Sequence, residues 1–87
     1  MVSKKVKIIN PAGFHLRPAG ILCREAAGYV SSIHFIHRNS SYNAKSVLSI
    51  LGSCVRCGDI IEVVCEGEDE EKALEGVSRA LEQGLTG

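Results

Sequence analysis

Lys4-Lys5-Val6-Lys7-Ile8-Ile9-Asn10-Pro11-Ala12-Gly13-Phe14-His15-Leu16-Arg17-Pro18-Ala19 contains a change of period that decides the fold. From Lys4 to Ile9 polar and apolar residues alternate, with Val6 and Ile8 on one side, as a half-buried strand requires. Asn10-Pro11-Ala12-Gly13 then stops the strand in a loop, where Gly13 is expected to leave the backbone free to expose the histidine that follows. Beyond it Ala19, Leu22, Cys23 and Ala26 recur at helical spacing. Pro18 suits a first turn and Gly28 the C′ position, so the spacing predicts a helix from Leu16 to Ala27.

The same two periods organise the rest of the chain. Ser32 to His37 places Ile33 and Phe35 on one face of a second strand. Arg38-Asn39-Ser40-Ser41 reads as a turn, and Tyr42 to Ala44 as a short returning strand. Ser46 can cap a short helix from Val47 to Leu51, with Val47, Leu48 and Leu51 as its apolar stripe and Gly52 as its end. Asp59 to Glu66 carries Ile61, Val63 and Cys65 on one face and Ile60, Glu62 and Val64 on the other, the mark of a fourth strand. Glu68-Asp69-Glu70-Glu71 supplies negative charge where a helix dipole is positive, ahead of a third helix with Ala73, Leu74, Val77, Ala80 and Leu81 on one face, closing near Gln83. The order βαββαβα suits an α+β fold with helices laid on one face of a mainly antiparallel sheet.

Eighty-seven residues allow one domain, 1–87, and leave no room for a second domain closing over a substrate cleft. No apolar run approaches the roughly 20 residues that cross a bilayer, and no secretory signal follows Met1, so membrane insertion is not expected and a cytoplasmic location is. Ten basic residues balance ten acidic ones, which excludes the positive field of a sequence-independent nucleic-acid binder. The charge is nonetheless uneven: Lys4, Lys5, Lys7, Arg17 and Arg24 lie early and Glu66, Glu68, Asp69, Glu70 and Glu71 late, so the early part could face an acidic protein. Cys23, Cys54, Cys57 and Cys65 are read as reduced thiols, Cys23 and Cys65 as small core residues.

His15 falls just before the first helical turn, where main-chain N–H groups lack intrahelical acceptors. That position suits an anion: a phosphoryl group on His15 would meet those donors and the helix dipole, and Arg17 could add a charge-assisted contact. The same dipole disfavours an imidazolium, which favours the ring as a nucleophile. From the local physics alone, His15 could equally be a polar cap without chemistry.

The string Gly13-x-His15-x-Arg17-Pro18-Ala19 resembles the active-site signature of the histidine-containing phosphocarrier protein (HPr) family of the bacterial phosphoenolpyruvate-dependent sugar phosphotransferase system. The similarity extends to Ala44-Lys45-Ser46 and its apolar followers, to Glu66-Gly67-Glu68-Asp69-Glu70 and to Lys72-Ala73, and it covers essentially the whole chain. The resemblance implies an open-faced β-sandwich, and a carrier without enzymatic turnover of its own that takes phosphate from enzyme I on Nδ1 of His15 and gives it to IIA domains of sugar permeases. It implies that Arg17 assists transfer, and that Val47, Leu48 and Leu51, with Arg24, meet partners. It further implies that Ser46 is the position an HPr kinase/phosphorylase modifies in low-GC Gram-positive members, adding charge beside the docking patch. A monomer is expected, and no cofactor.

Phe14 and Leu16 are bulkier than the residues expected around the family histidine, Gly20 lies inside the first helix, and Ala27 stands where a basic residue is frequent. The segment Leu51-Gly52-Ser53-Cys54 with Arg56-Cys57 also departs from the family strings, which leaves a specialised regulatory paralogue as an alternative. A rival from another class is a metal or thiol-redox module on Cys54-Val55-Arg56-Cys57 with His34 and His37. Against it, residues three apart on a strand point to opposite faces, so His34 and His37 are read as ordinary strand residues, one outward and one at an end, and no metal site is expected.

Overall fold

The computed structural model describes residues 1–86, with elements β1 (Val2–Lys7), α1 (Leu16–Ala27), β2 (Ser32–His37), β3 (Ser40–Asn43), α2 (Val47–Gly52), β4 (Ile60–Glu66) and α3 (Glu70–Glu82). Strand order in the sheet is β1-β4-β2-β3, and every neighbouring pair is antiparallel. Chain order and sheet order differ because α1 and α2 each carry the chain across the sheet.

Alternation sorts the strands. Val6, Ile33, Phe35, Ile61, Val63 and Cys65 are buried on the face that meets Leu22 and Ala26 of α1, Ile50 of α2, and Val77 and Leu81 of α3 in one core. Each fully buried aliphatic side chain contributes about 2 kcal/mol. On the other face Lys5 opposes Glu62, and Val64 opposes His34, within reach of water. Antiparallel sheets tolerate this one-sided cover, which gives the open-faced sandwich.

Helix α1 and strand β2 have the bounds their spacing predicts. Other boundaries moved. β1 is shifted two residues toward the amino terminus, to Val2–Lys7, because Ile8, although fully buried, exchanges bonds with the loop before β4: its N–H donates to the Asp59 carbonyl and its carbonyl accepts from Gly58. Only Arg38 and Asn39 form the hairpin turn, both at positive φ (52° and 68°), so β3 begins at Ser40 and ends at Asn43 and does not run from Tyr42 to Ala44. β4 starts at Ile60 and α3 stops at Glu82, one residue from the expected ends.

Of the two expected glycine stops, Gly28 is corrected and Gly52 does end α2. Gly28 has φ −74° and closes α1 in a right-handed tightened turn, its N–H reaching the Glu25 carbonyl at 3.2 Å. Gly52 is the last residue of α2, and the left-handed residue is Cys54, at φ +55°. The stripe on α2 also differs: Ile50 is the buried residue, Val47 and Leu51 are half-buried, and Leu48 points outward at 82% exposure. On α3 the buried face includes Ser78, which periodicity of apolar residues cannot reveal.

Candidate functional site

His15 is the N-cap residue of α1, with extended backbone (φ −77°, ψ −179°), an exposed ring and no side-chain capping bond. The first intrahelical bond joins the Ala19 N–H to the His15 carbonyl at 2.8 Å. The amides ahead of it therefore lack helical acceptors, and Pro18 has no N–H, so His15, Leu16 and Arg17 supply the open donors.

What holds this helix start in place lies on either side of it in sequence. Gly13, at φ +60°, is buried against the 55–56 segment: a Cβ there would sit 2.5 Å from the Val55 carbonyl oxygen and 2.9 Å from the Arg56 Cα. Gly13 thus fixes a close backbone approach and does not loosen the loop as expected. Asn10 Nδ2 donates to the Gly13 carbonyl, and the Gly13 N–H donates back to the Asn10 carbonyl at 3.0 Å. The Phe14 N–H donates to the Val55 carbonyl at 3.0 Å, and the Phe14 ring, 3% exposed, packs edge-on against Phe35 with centroids 5.4 Å apart. Phe14 consequently belongs to the core, and of the two bulky neighbours of His15 only Leu16, at 70% exposure, is presented outward.

His15 lines an open depression together with Phe14, Leu16, Leu51, Cys54, Val55 and Arg56. The arginine sharing that depression is Arg56, which sequence reasoning did not single out; Arg17 is exposed on the first turn of α1 and is not part of the lining. Neither guanidinium is ion-paired among the described residues. Arg24 is exposed in the last turns of α1.

Ser46 caps α2 as predicted: its Oγ accepts from the Ser49 N–H at 3.2 Å, and Ser49 Oγ in turn accepts from the Asn43 N–H. Leu48 lies beside it in sequence on the exposed side of α2, while Leu51 reaches the His15 depression.

The histidines of β2 part company as strand alternation requires, His34 on the open face and His37 inside. His37 is not an ordinary end residue. It is buried, with Nδ1 against the Ser53 carbonyl at 3.1 Å and Nε2 against Asp59 Oδ2 at 2.9 Å. Asp59 Oδ2 also accepts the Arg56 N–H at 3.0 Å; that main-chain donor first, and His37 second, hold the Asp59 carboxyl below its ordinary value. This bridge secures residues 53–59 behind His15, and its only sequence trace was an unassigned histidine at a strand end. Cys54 and Cys57 are exposed free thiols, Cys65 is buried, and half-buried Cys23 donates its S–H to the Lys45 carbonyl. Among the described residues no three His, Cys, Asp or Glu side chains gather as a metal site would require. No helix of the described residues is long and apolar enough to cross a membrane.

Residues 2–83 match the family described as "PTS HPr component phosphorylation site". The phosphocarrier protein HPr of Treponema pallidum is 35% identical over 82 residues, covering 94% of this chain and 93% of that protein. The HPr-like protein Crh of Halalkalibacterium halodurans is 30% identical over 83 residues, 95% of this chain and 99% of that one. The crystal structure of HPr-C-His from Thermoanaerobacter tengcongensis superposes with a TM-score of 0.94 at 30% identity, over 98% of this chain and 96% of that one. Fold, helix-start histidine and these likenesses agree: the chain belongs to the HPr family of phosphocarrier proteins.

Proposed function

We propose that residues 1–87 act as one cytoplasmic carrier domain in which Nδ1 of His15 accepts a phosphoryl group from enzyme I and passes it to IIA domains of sugar permeases. One observation carries this reading: an exposed imidazole stands on a helix start whose amides no side chain has capped. Such a start receives phosphoryl oxygens without any rearrangement. In this reading Arg17 assists transfer from the first turn, while Leu48, Leu51, Val47 and Arg24 form the surface that partners cover. Leu48, exposed on α2, and half-buried Leu51, which lines the His15 depression, fit that role.

The test is incubation with enzyme I and phosphoenolpyruvate, followed by acid treatment. Phosphohistidine label is lost in acid, and His15→Ala abolishes it while leaving the fold intact. Label retained in that variant would refute His15 as acceptor.

Ser46 is proposed as a second, regulatory phosphorylation site. A phosphate there would sit at the start of α2 beside Leu48 and oppose an acidic partner. Mixing the protein with an HPr kinase/phosphorylase and ATP should add one phosphate that mass spectrometry locates on Ser46, and no mass shift there rejects the idea. Similarity to Crh supports a regulatory paralogue as the second reading. A chain that takes Ser46 phosphate but no acid-labile label would favour it.

A further inference from the structure

We infer that Arg56 is a second guanidinium of the phosphoryl site, contacting oxygens of the group carried by His15; this rests on the reading of His15 as acceptor. Three observations converge on it. Arg56 lines the same depression as the imidazole and, among the described residues, has no carboxylate partner. Its backbone is held from both sides. On one side its N–H donates to Asp59 Oδ2 and its carbonyl accepts from the Asp59 N–H, both at 3.0 Å, with His37 bracing that carboxylate. On the other side its Cα lies where only a glycine can stand at position 13, two residues from His15.

The third observation is a shortage of donors. A phosphoryl group in flight spreads negative charge over three oxygens. Pro18 has no N–H, so the helix start offers only the N–H groups of His15, Leu16 and Arg17 to oxygens that can each accept more than one bond. A planar guanidinium with paired N–H groups is suited to the remaining oxygens, and a base held by two main-chain bonds loses little freedom on making the contact.

The experiment uses the full chain, phosphorylated chemically with phosphoramidate so that no partner protein is needed, and compares wild type, Arg56→Ala, Arg56→Lys and His15→Ala. For Arg56→Ala we expect a shifted 31P resonance of the phosphohistidine and a phosphoryl group lost to water at an altered rate. The kcat of enzyme I for phosphoryl transfer from phosphoenolpyruvate to this variant should fall about tenfold, the size of one lost charge-assisted contact. Arg56→Lys should recover part of that loss, and thermal unfolding should stay unchanged because the side chain is exposed. A wild-type 31P resonance and kcat in Arg56→Ala would overturn the inference. So would a raised KM for the partner with an unshifted resonance, which would make Arg56 a docking contact only. Phosphohistidine formed in His15→Ala by enzyme I and phosphoenolpyruvate would instead fail the underlying reading.

Discussion

Helices α1 and α2 begin with similar extended backbone at their N-caps, yet the two starts are finished differently. At α2 the Ser46 Oγ takes the N–H of the third helical residue, Ser49. At α1 the cap is a histidine that makes no such bond, and the third helical residue is Pro18, which has no N–H to give. One start is closed by its own side chain, and the other is left open and braced from behind by Gly13, Phe14 and the 53–59 segment. A helix can forgo the stability of a cap when the tertiary structure holds it, and the donors so released are available to a ligand.

Substitution at the open start should have the largest effect on transfer. His15→Ala should remove all acid-labile label while shifting unfolding by less than about 0.5 kcal/mol, because an exposed, unbonded side chain is lost. Gly13→Ala attacks the brace. A Cβ at φ +60° and 2.5 Å from the Val55 carbonyl should lower stability by about 3 kcal/mol, read from the urea midpoint, and slow phosphorylation as the helix start shifts. Opening the closed start with Ser46→Ala should cost about 1 kcal/mol and leave His15 labelling intact. Conversely, His15→Asp should close the open one and stabilise the protein by about 0.5 kcal/mol while abolishing phosphohistidine, a small gain because Pro18 leaves only the Arg17 N–H for the new cap.

The start of α3 sharpens the contrast in a third way, through pH. Asp69 is its N-cap, but the carboxylate makes no capping bond and accepts instead from Ser31 Oγ and from the N–H groups of Val30 and Ser31. The Ser31 hydroxyl is the chief cause that holds the Asp69 carboxyl below its ordinary 3.8. A carboxyl depressed in the folded state stabilises fully above its unfolded value and loses that contribution as pH falls through the folded one. Unfolding midpoints should therefore decline below about pH 4, and Asp69→Asn should flatten the decline more than Glu68→Gln, since Glu68 is exposed.

Legibility in the sequence follows the range of the forces involved. The bounds of α1 and β2 were readable because apolar spacing and the residues that punctuate it act within a few positions. Ser46 was readable as a cap for the same reason, since donor and acceptor lie three residues apart. The end of β1 was not legible because the main-chain partners of Ile8 are Asp59 and Gly58, fifty residues away along the chain. The core role of Phe14, which lies beside the site as well, was not legible because its ring partner, Phe35, is brought to it only when β2 joins the core.

By itself the sequence determined the order of strands and helices, the histidine at a helix start and the cap at Ser46, all consequences of local periodicity and local hydrogen bonding. Only the tertiary structure decided that Gly13 is a fixed contact, that His37 braces a loop through Asp59, and that Arg56 shares the depression of His15. These are meetings of segments more than twenty residues apart, set by how the sheet and helices close around one core, and no spacing along the chain records them.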